Sequence, residues 1–210
     1  MRRPKVIGIT GGIASGKSEV TRILETLGAV VIRADKIGHE VLELPEIQNL
    51  LIRQFGQSVF SQKTRTIDRK KVAELVFGAS PQALARRRTL EAITHRPIRA
   101  EIRKQLDQLL NEKKADAIVL DIPLLLESQW DRICDAVWFI DAPEEIRLQR
   151  ALDRGWTQEH FRAREASQWS LADKLAKSSC VISNVGTLEE LKENLARELR
   201  SKLDELLKNQ

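Results

Sequence analysis

Apolar residues along this chain fall into two kinds of run. Five runs are short and nearly continuous: Val6-Ile7-Gly8-Ile9, Ala29-Val30-Val31-Ile32, Ala117-Ile118-Val119-Leu120, Ala136-Val137-Trp138-Phe139-Ile140 and Cys180-Val181-Ile182. They are rich in β-branched and aromatic residues and do not alternate with polar ones. That pattern predicts strands buried on both faces, as in a parallel sheet covered by helices. The other runs repeat at helical spacing. Val20, Ile23, Leu24 and Leu27 make one stripe, stopped by Gly28. Thr187-Leu188-Glu189-Glu190 reads as a capping box. It opens a long stripe of Leu188, Leu191, Leu195, Leu199, Leu203 and Leu206.

Strand and helix alternate at the start and again after residue 115. The order predicts an α/β, doubly wound fold: a five-stranded, mostly parallel sheet flanked by helices. Between about Glu40 and Lys114 no buried strand is evident. Leu90, Ile93, Ile98, Ile102, Leu106, Leu109 and Leu110 fall at helical spacing there, with a kink expected near Pro97. Residues 143–177 are also helical in pattern and rich in arginine. The chain therefore reads as one domain over 1–210, with 40–114 and 143–177 as helical insertions.

At 210 residues, 42% hydrophobic and 31% charged, the chain is long enough for a sizeable core. No apolar stretch has the length of a membrane span, and the basic start Met1-Arg2-Arg3-Pro4-Lys5 lacks the apolar segment of a signal peptide. The two cysteines, Cys134 and Cys180, lie far apart in apolar runs. They read as buried thiols of a reducing cytoplasm rather than a disulfide or zinc framework. The net charge of +5 admits nucleic acid, anionic lipid or phosphate-bearing small molecules without choosing among them.

The choice comes from Gly11-Gly12-Ile13-Ala14-Ser15-Gly16-Lys17-Ser18, which matches G-x-x-x-x-G-K-[ST] between a predicted strand and a predicted helix. Such a P-loop curls its backbone so that successive N–H groups meet phosphate oxygens, helped by the helix N-terminus. Lys17 is placed to reach the β- and γ-phosphates, Ser18 to ligate Mg²⁺, and Glu19 to offer only its backbone N–H. The expected ligands are ATP and Mg²⁺. Asp121, ending an apolar run, fits the second, metal-side carboxylate of such sites. Asp35, just past the second run, fits either a general base for an attacking hydroxyl or the N-cap of a helix from Lys36. Arg147, Arg150 and Arg154 repeat at i, i+3 and i+7, followed by Arg162 and Arg164. They fit either a group closing over a transferring phosphoryl or a solvated face paired with Glu144, Glu145 and Asp153. A regulatory GTPase is disfavoured. Asp121 is followed by Ile122-Pro123-Leu124 without the switch glycine, and Asn184-Val185-Gly186 is no base-reading N-K-x-D.

Several segments together resemble the dephospho-coenzyme A kinase family over almost the whole chain. They are Gly8 to Ser18, Ala34-Asp35-Lys36-Ile37, Leu90 to His95, Asp121-Ile122-Pro123-Leu124-Leu125-Leu126-Glu127, Arg150 to Gly155, Arg164 to Gln168 and Asn184-Val185-Gly186. The resemblance implies ATP-dependent phosphorylation of the ribose 3′-hydroxyl of dephospho-coenzyme A, with Asp35 as base. It also implies Arg147 or Arg150 at the transferring phosphoryl, and a lid around Arg154. The acceptor's diphosphate would lie near His95, Arg96 and Arg99 in the 40–114 insertion, and adenine near Asn184. It implies a small-molecule substrate, no nucleic acid or membrane partner, a cytoplasmic location, and a monomer or small homo-oligomer. The chain departs from the family pattern in three places. Arg33 stands for the first Asp of Asp-Ala-Asp, His95-Arg96-Pro97 for His-Pro, and Ser179-Cys180 for Ala-Asp.

Overall fold

The computed structural model describes residues 3–208 apart from residue 79. They form two compact units, one of Met1–Arg33 with Leu106–Gln210 and one of Ala34–Gln105.

The first unit is built on strands β1 (Lys5–Gly11), β2 (Val30–Arg33), β5 (Ala117–Asp121), β6 (Ala136–Asp141) and β7 (Cys180–Ser183), one for each continuous apolar run. The order is β2-β5-β1-β6-β7, and every pairing is parallel. Val6 and Ile7, neighbours that point to opposite faces, are both fully buried, which explains why the run has no polar alternation. Helices α1 (Lys17–Thr26) and α9 (Leu188–Lys208) cover one face. There Val20, Ile23, Leu24, Leu191, Leu195 and Leu199 join Ile7, Ile9, Val119 and Trp138 in one core. The side chain of Leu206 lies outside the described residues. The capping box forms in both directions: the Thr187 amide donates to Glu190 Oε2 at 2.7 Å and the Glu190 amide to Thr187 Oγ1 at 3.2 Å.

Residues 143–177 fold as three short helices: α6 (Glu144–Leu152), α7 (Gln158–Ala166) and α8 (Leu171–Ala176). Thr157 and Ser170 cap the last two through their side-chain oxygens. Arg154 lies beyond the end of α6, so the three-arginine helical face does not exist. The chain leaves the helix at Asp153, and only Arg147 and Arg150 share it. Both cysteines are half-buried rather than buried. Burial still pushes the Cys134 thiol up to about 12 and the Cys180 thiol up to about 11.

The second unit holds α2 (Ala34–Glu43), α3 (Pro45–Phe55), β3 (Phe60–Ser61), β4 (Thr66–Ile67), α4 (Arg69–Val76) and most of α5 (Pro81–Glu112). Ile37, Val41, Ile47, Leu51, Val59, Ile67, Val72, Val76 and Ile102 are among its buried side chains. Two expectations need correction. The 40–114 stretch contains an antiparallel hairpin, β3–β4, paired as Phe60 with Ile67 and Ser61 with Thr66. Strands of two residues leave no apolar run to read. Helix α2 begins at Ala34, not Lys36, so Asp35 sits inside the first turn and does not cap. Further on, α5 continues through Pro97 as a single helix, giving up the one ladder bond that proline cannot donate.

Candidate active site

β1 delivers the chain into the glycine loop, and α1 takes it away. Gly11 and Gly16 have φ of +146° and +99°. A Cβ on Gly16 would stand 2.0 Å from Asn184 Nδ2, and one on Gly11 would stand 2.6 Å from the Ile140 carbonyl oxygen. Conformation and space both require glycine at these positions. The loop is braced from behind. The Ser15 carbonyl accepts from Asn184 Nδ2 at 2.7 Å and from Arg150 Nη1 at 3.2 Å, while Arg150 Nη2 donates to the Asn184 carbonyl at 3.0 Å. Arg147, 2% exposed, donates from Nε to the Ala142 carbonyl at 3.0 Å and from Nη1 to the Ile13 carbonyl at 3.4 Å. Side chains from outside the loop thus engage two of its carbonyls, those of Ile13 and Ser15. The first amides of α1, at Lys17 and Ser18, have no intrahelical acceptor and are donors for an anion.

This bracing gives Gly16→Ala a definite outcome. The variant has to displace Asn184 and adopt a left-handed alanine, at a cost of about 2–3 kcal/mol in stability. Thermal unfolding without nucleotide checks it; an unchanged midpoint would mean that the brace is loose.

Lys17 Nζ folds back to donate to the Gly12 carbonyl at 3.0 Å and the Gly11 carbonyl at 3.3 Å. Burial first, then the charges of Lys174 and Arg147, lower its ammonium from the ordinary 10.5 to about 8, against the pull of Asp121 and Glu127. Asp121 ends β5, the neighbour of β1 in the sheet, and is half-buried. The loop and this carboxylate therefore share the carboxyl edge of adjacent strands, where open α/β sheets bind ligands. Arg33, paired in register with Asp121, is held by Glu25, with Nη2 donating to Oε2 at 2.7 Å.

Around this loop the structure adds residues that local pattern did not single out. Glu165 of α7 pairs with Arg147, a partner outside the Glu144, Glu145 and Asp153 set of the solvated-face alternative. Arg147 also lies 5.5 Å from the Phe161 ring centroid. Lys174 Nζ stands 3.2 Å from Glu127 Oε1 and donates to Gln168 Oε1 at 2.7 Å, with its side chain 3% exposed. Glu127 and Gln168 belong to the segments that carry the family resemblance. Lys174 had no signal of its own. On the exposed side of α7, Trp156 stacks on His160 at 4.8 Å, and Arg164 covers Trp156 at 4.6 Å.

Asn184 is buried under the loop. Beside it a cleft of about 310 Å³ opens among Ser183, Val185, Gly186, Glu190, Leu191 and Asn194. In the second unit, Asp35 is exposed in the first turn of α2, and His95, Arg96 and Arg99 are exposed on α5.

A braced glycine loop at the carboxyl edge of an all-parallel β2-β5-β1-β6-β7 sheet, with an arginine-bearing helical segment packed behind it, defines a P-loop kinase. The family profile described as Dephospho-CoA kinase matches residues 5–190. A dephospho-CoA kinase of Carboxydothermus hydrogenoformans is 38% identical over 193 residues, covering 90% of each chain. Among solved structures, TT1252 from Thermus thermophilus is 32% identical, with a TM-score of 0.77 over 98% of this chain and 99% of that one. The dephospho-CoA kinase from Campylobacter jejuni is 30% identical, with a TM-score of 0.65 over 95% and 98%. The chain belongs to the dephospho-CoA kinase family, whose enzymes catalyse the ATP-dependent final step of coenzyme A synthesis.

Proposed function

We propose that this chain transfers the γ-phosphoryl group of ATP to the ribose 3′-hydroxyl of dephospho-coenzyme A. The observation that carries the reading is the braced P-loop with its half-buried Lys17, in a chain matched by that family's profile from residue 5 to 190. The phosphate chain lies along Gly11 to Glu19, with the amides of Lys17 and Ser18 and the Lys17 ammonium on its oxygens. Adenine takes the cleft beside Asn184, lined by Val185 and Gly186.

Ser18 and Asp121 supply a hydroxyl and a carboxylate, hard oxygen donors of the kind that suits Mg²⁺. An ion bound there would neutralise charge on the phosphates. Arg147 and Arg150 hold the loop's shape through its carbonyls, and Arg154 belongs to the lid of 143–177. Asp35 takes the proton of the 3′-hydroxyl as its oxygen bonds to phosphorus. The bond from phosphorus to the β,γ-bridging oxygen breaks, and ADP leaves with the electron pair. The 40–114 insertion binds the acceptor, with His95, Arg96 and Arg99 near its diphosphate.

No helix among the described residues is long and apolar enough to cross a membrane. The proposed setting is the cytoplasm, with small molecules as the ligands, no nucleic acid, and a monomer or small homo-oligomer. The test couples ADP release to product mass with ATP and dephospho-coenzyme A. The expected product carries one added phosphoryl group. Turnover of adenosine, a nucleoside monophosphate or shikimate, with dephospho-coenzyme A untouched, would reject the substrate.

A further inference from the structure

Glu127 and Lys174 form a buried ion pair beside the P-loop, and the pair is incomplete. Lys174 lies on α8, which packs against β1, the strand that ends in the loop. Glu127 follows β5. Its Oε1 accepts from the Trp169 amide at 3.0 Å as well as facing Lys174 at 3.2 Å. Its Oε2 is shielded from solvent and has no hydrogen-bond partner. Lys174 has three N–H donors. Gln168 Oε1 accepts from one of them, and Glu127 Oε1 faces the ammonium as its ion-pair partner.

A pair kept only for packing does not account for this arrangement. Two apolar side chains of the same volume would serve a core as well, and a buried oxygen without a donor weakens it. The location supplies the missing reason. Among the charged groups around Lys17, Lys174 has the strongest influence on its ammonium. Lys174 is buried and Lys17 half-buried, and their like charges oppose one another beside the anion-binding loop until an anion arrives. The hydrogen bond to Gln168 and the ion pair with Glu127 fix the ammonium in place, so the donors that remain are oriented before the ligand enters.

We propose that Lys174 is a second phosphate-contacting lysine of this kinase, donating to the phosphoryl group in transfer beside Lys17, and that Glu127 and Gln168 are its positioning residues. The proposal rests on the kinase reading above. Lys174 does not join in bond making. It holds charge on the equatorial oxygens while the phosphoryl passes from the bridging oxygen of ATP to the acceptor hydroxyl.

The test uses the full chain with Lys174→Met, Lys174→Arg and the double variant Glu127→Gln/Lys174→Met. The single methionine variant strands the Glu127 carboxylate and can fail to fold; the double variant removes that charge as well. The double variant is expected to fold, as judged by circular dichroism. Its kcat is expected to fall about 10²-fold, as when one preorganised donor to a developing charge is lost. KM for dephospho-coenzyme A is expected to stay within about threefold, and Lys174→Arg to recover part of kcat. Inorganic triphosphate, titrated calorimetrically without acceptor, is expected to bind the double variant about tenfold more weakly, the equivalent of one charge-assisted hydrogen bond. Wild-type kcat and wild-type triphosphate affinity in the double variant would overturn the proposal and leave the kinase reading intact. Weakened triphosphate binding in a protein whose wild type does not phosphorylate dephospho-coenzyme A would uphold Lys174 and reject the acceptor instead.

Discussion

Lys17→Met is expected to lose about 10³-fold in kcat/KM, the scale of removing a cation that stabilises a transferring phosphoryl. The same variant is expected to be more stable than wild type at pH 7 when no nucleotide is present. Both effects come from one cause. The ammonium of Lys17 is partly stripped of water and faces the like charges of Lys174 and Arg147, which hold its pKa near 8. Its two bonds to the Gly11 and Gly12 carbonyls offset only part of that cost. Methionine fills a similar volume without the charge, for a net gain of about 1–2 kcal/mol.

The sign of the pH dependence follows. Below pH 8 the lysine is protonated in both the folded and unfolded chain, and the full penalty for burying the charge is present. Between pH 8 and its ordinary 10.5, the unfolded chain still holds a proton that the folded chain has released. Wild-type stability therefore rises with pH across that window relative to the variant. Thermal unfolding of both proteins at pH 7 and pH 9.5 checks this: the gap should favour the variant at pH 7 and narrow at pH 9.5. A variant less stable than wild type at pH 7, with a gap independent of pH, would show that Lys17 serves the loop's structure rather than its ligand. Tight anion binding and low stability of the empty site thus have the same origin, as expected where a site is organised for charge that the ligand brings.

The sheet was legible because each strand is a continuous apolar run, and both-face burial is a local property of sequence. The P-loop was legible for the same reason: its glycines, lysine and serine are contiguous. What escaped depends on partners far apart in the chain. Arg147 was visible, but nothing near it pointed to Glu165 or to the Ile13 carbonyl, the contacts that make it a buried brace. Lys174 carries no local signal, and only the folded chain brings it to Glu127. The bond from the Asn184 amide to the Ser15 carbonyl was equally hidden, and this close approach is what leaves no room for a side chain at Gly16. The hairpin at Phe60–Ser61 and Thr66–Ile67 was invisible because strands of two residues carry no period.

Asp35 shows how one residue of offset decides between two readings. Had the helix begun at Lys36, the carboxylate would have been a cap, and its loss a matter of stability. The helix begins at Ala34, a buried residue that readily takes helical conformation, and Asp35 is exposed within the first turn. Its interaction with the helix dipole is worth only about 0.3–1 kcal/mol. Asp35→Asn keeps the size of the side chain and removes its capacity to accept a proton. If Asp35 is the base, kcat falls about 10³-fold, within the range for general bases, while the melting temperature moves by only about 1–3 °C. KM for dephospho-coenzyme A should change by no more than about threefold, because the lost interaction is made chiefly in the transition state. Steady-state kinetics together with a thermal melt separates the cases. An unchanged kcat assigns the proton to solvent or to another group. A large drop in melting temperature with kcat preserved would restore a structural role for this carboxylate. A loss confined to kcat makes Asp35 the group that links proton removal to phosphoryl transfer.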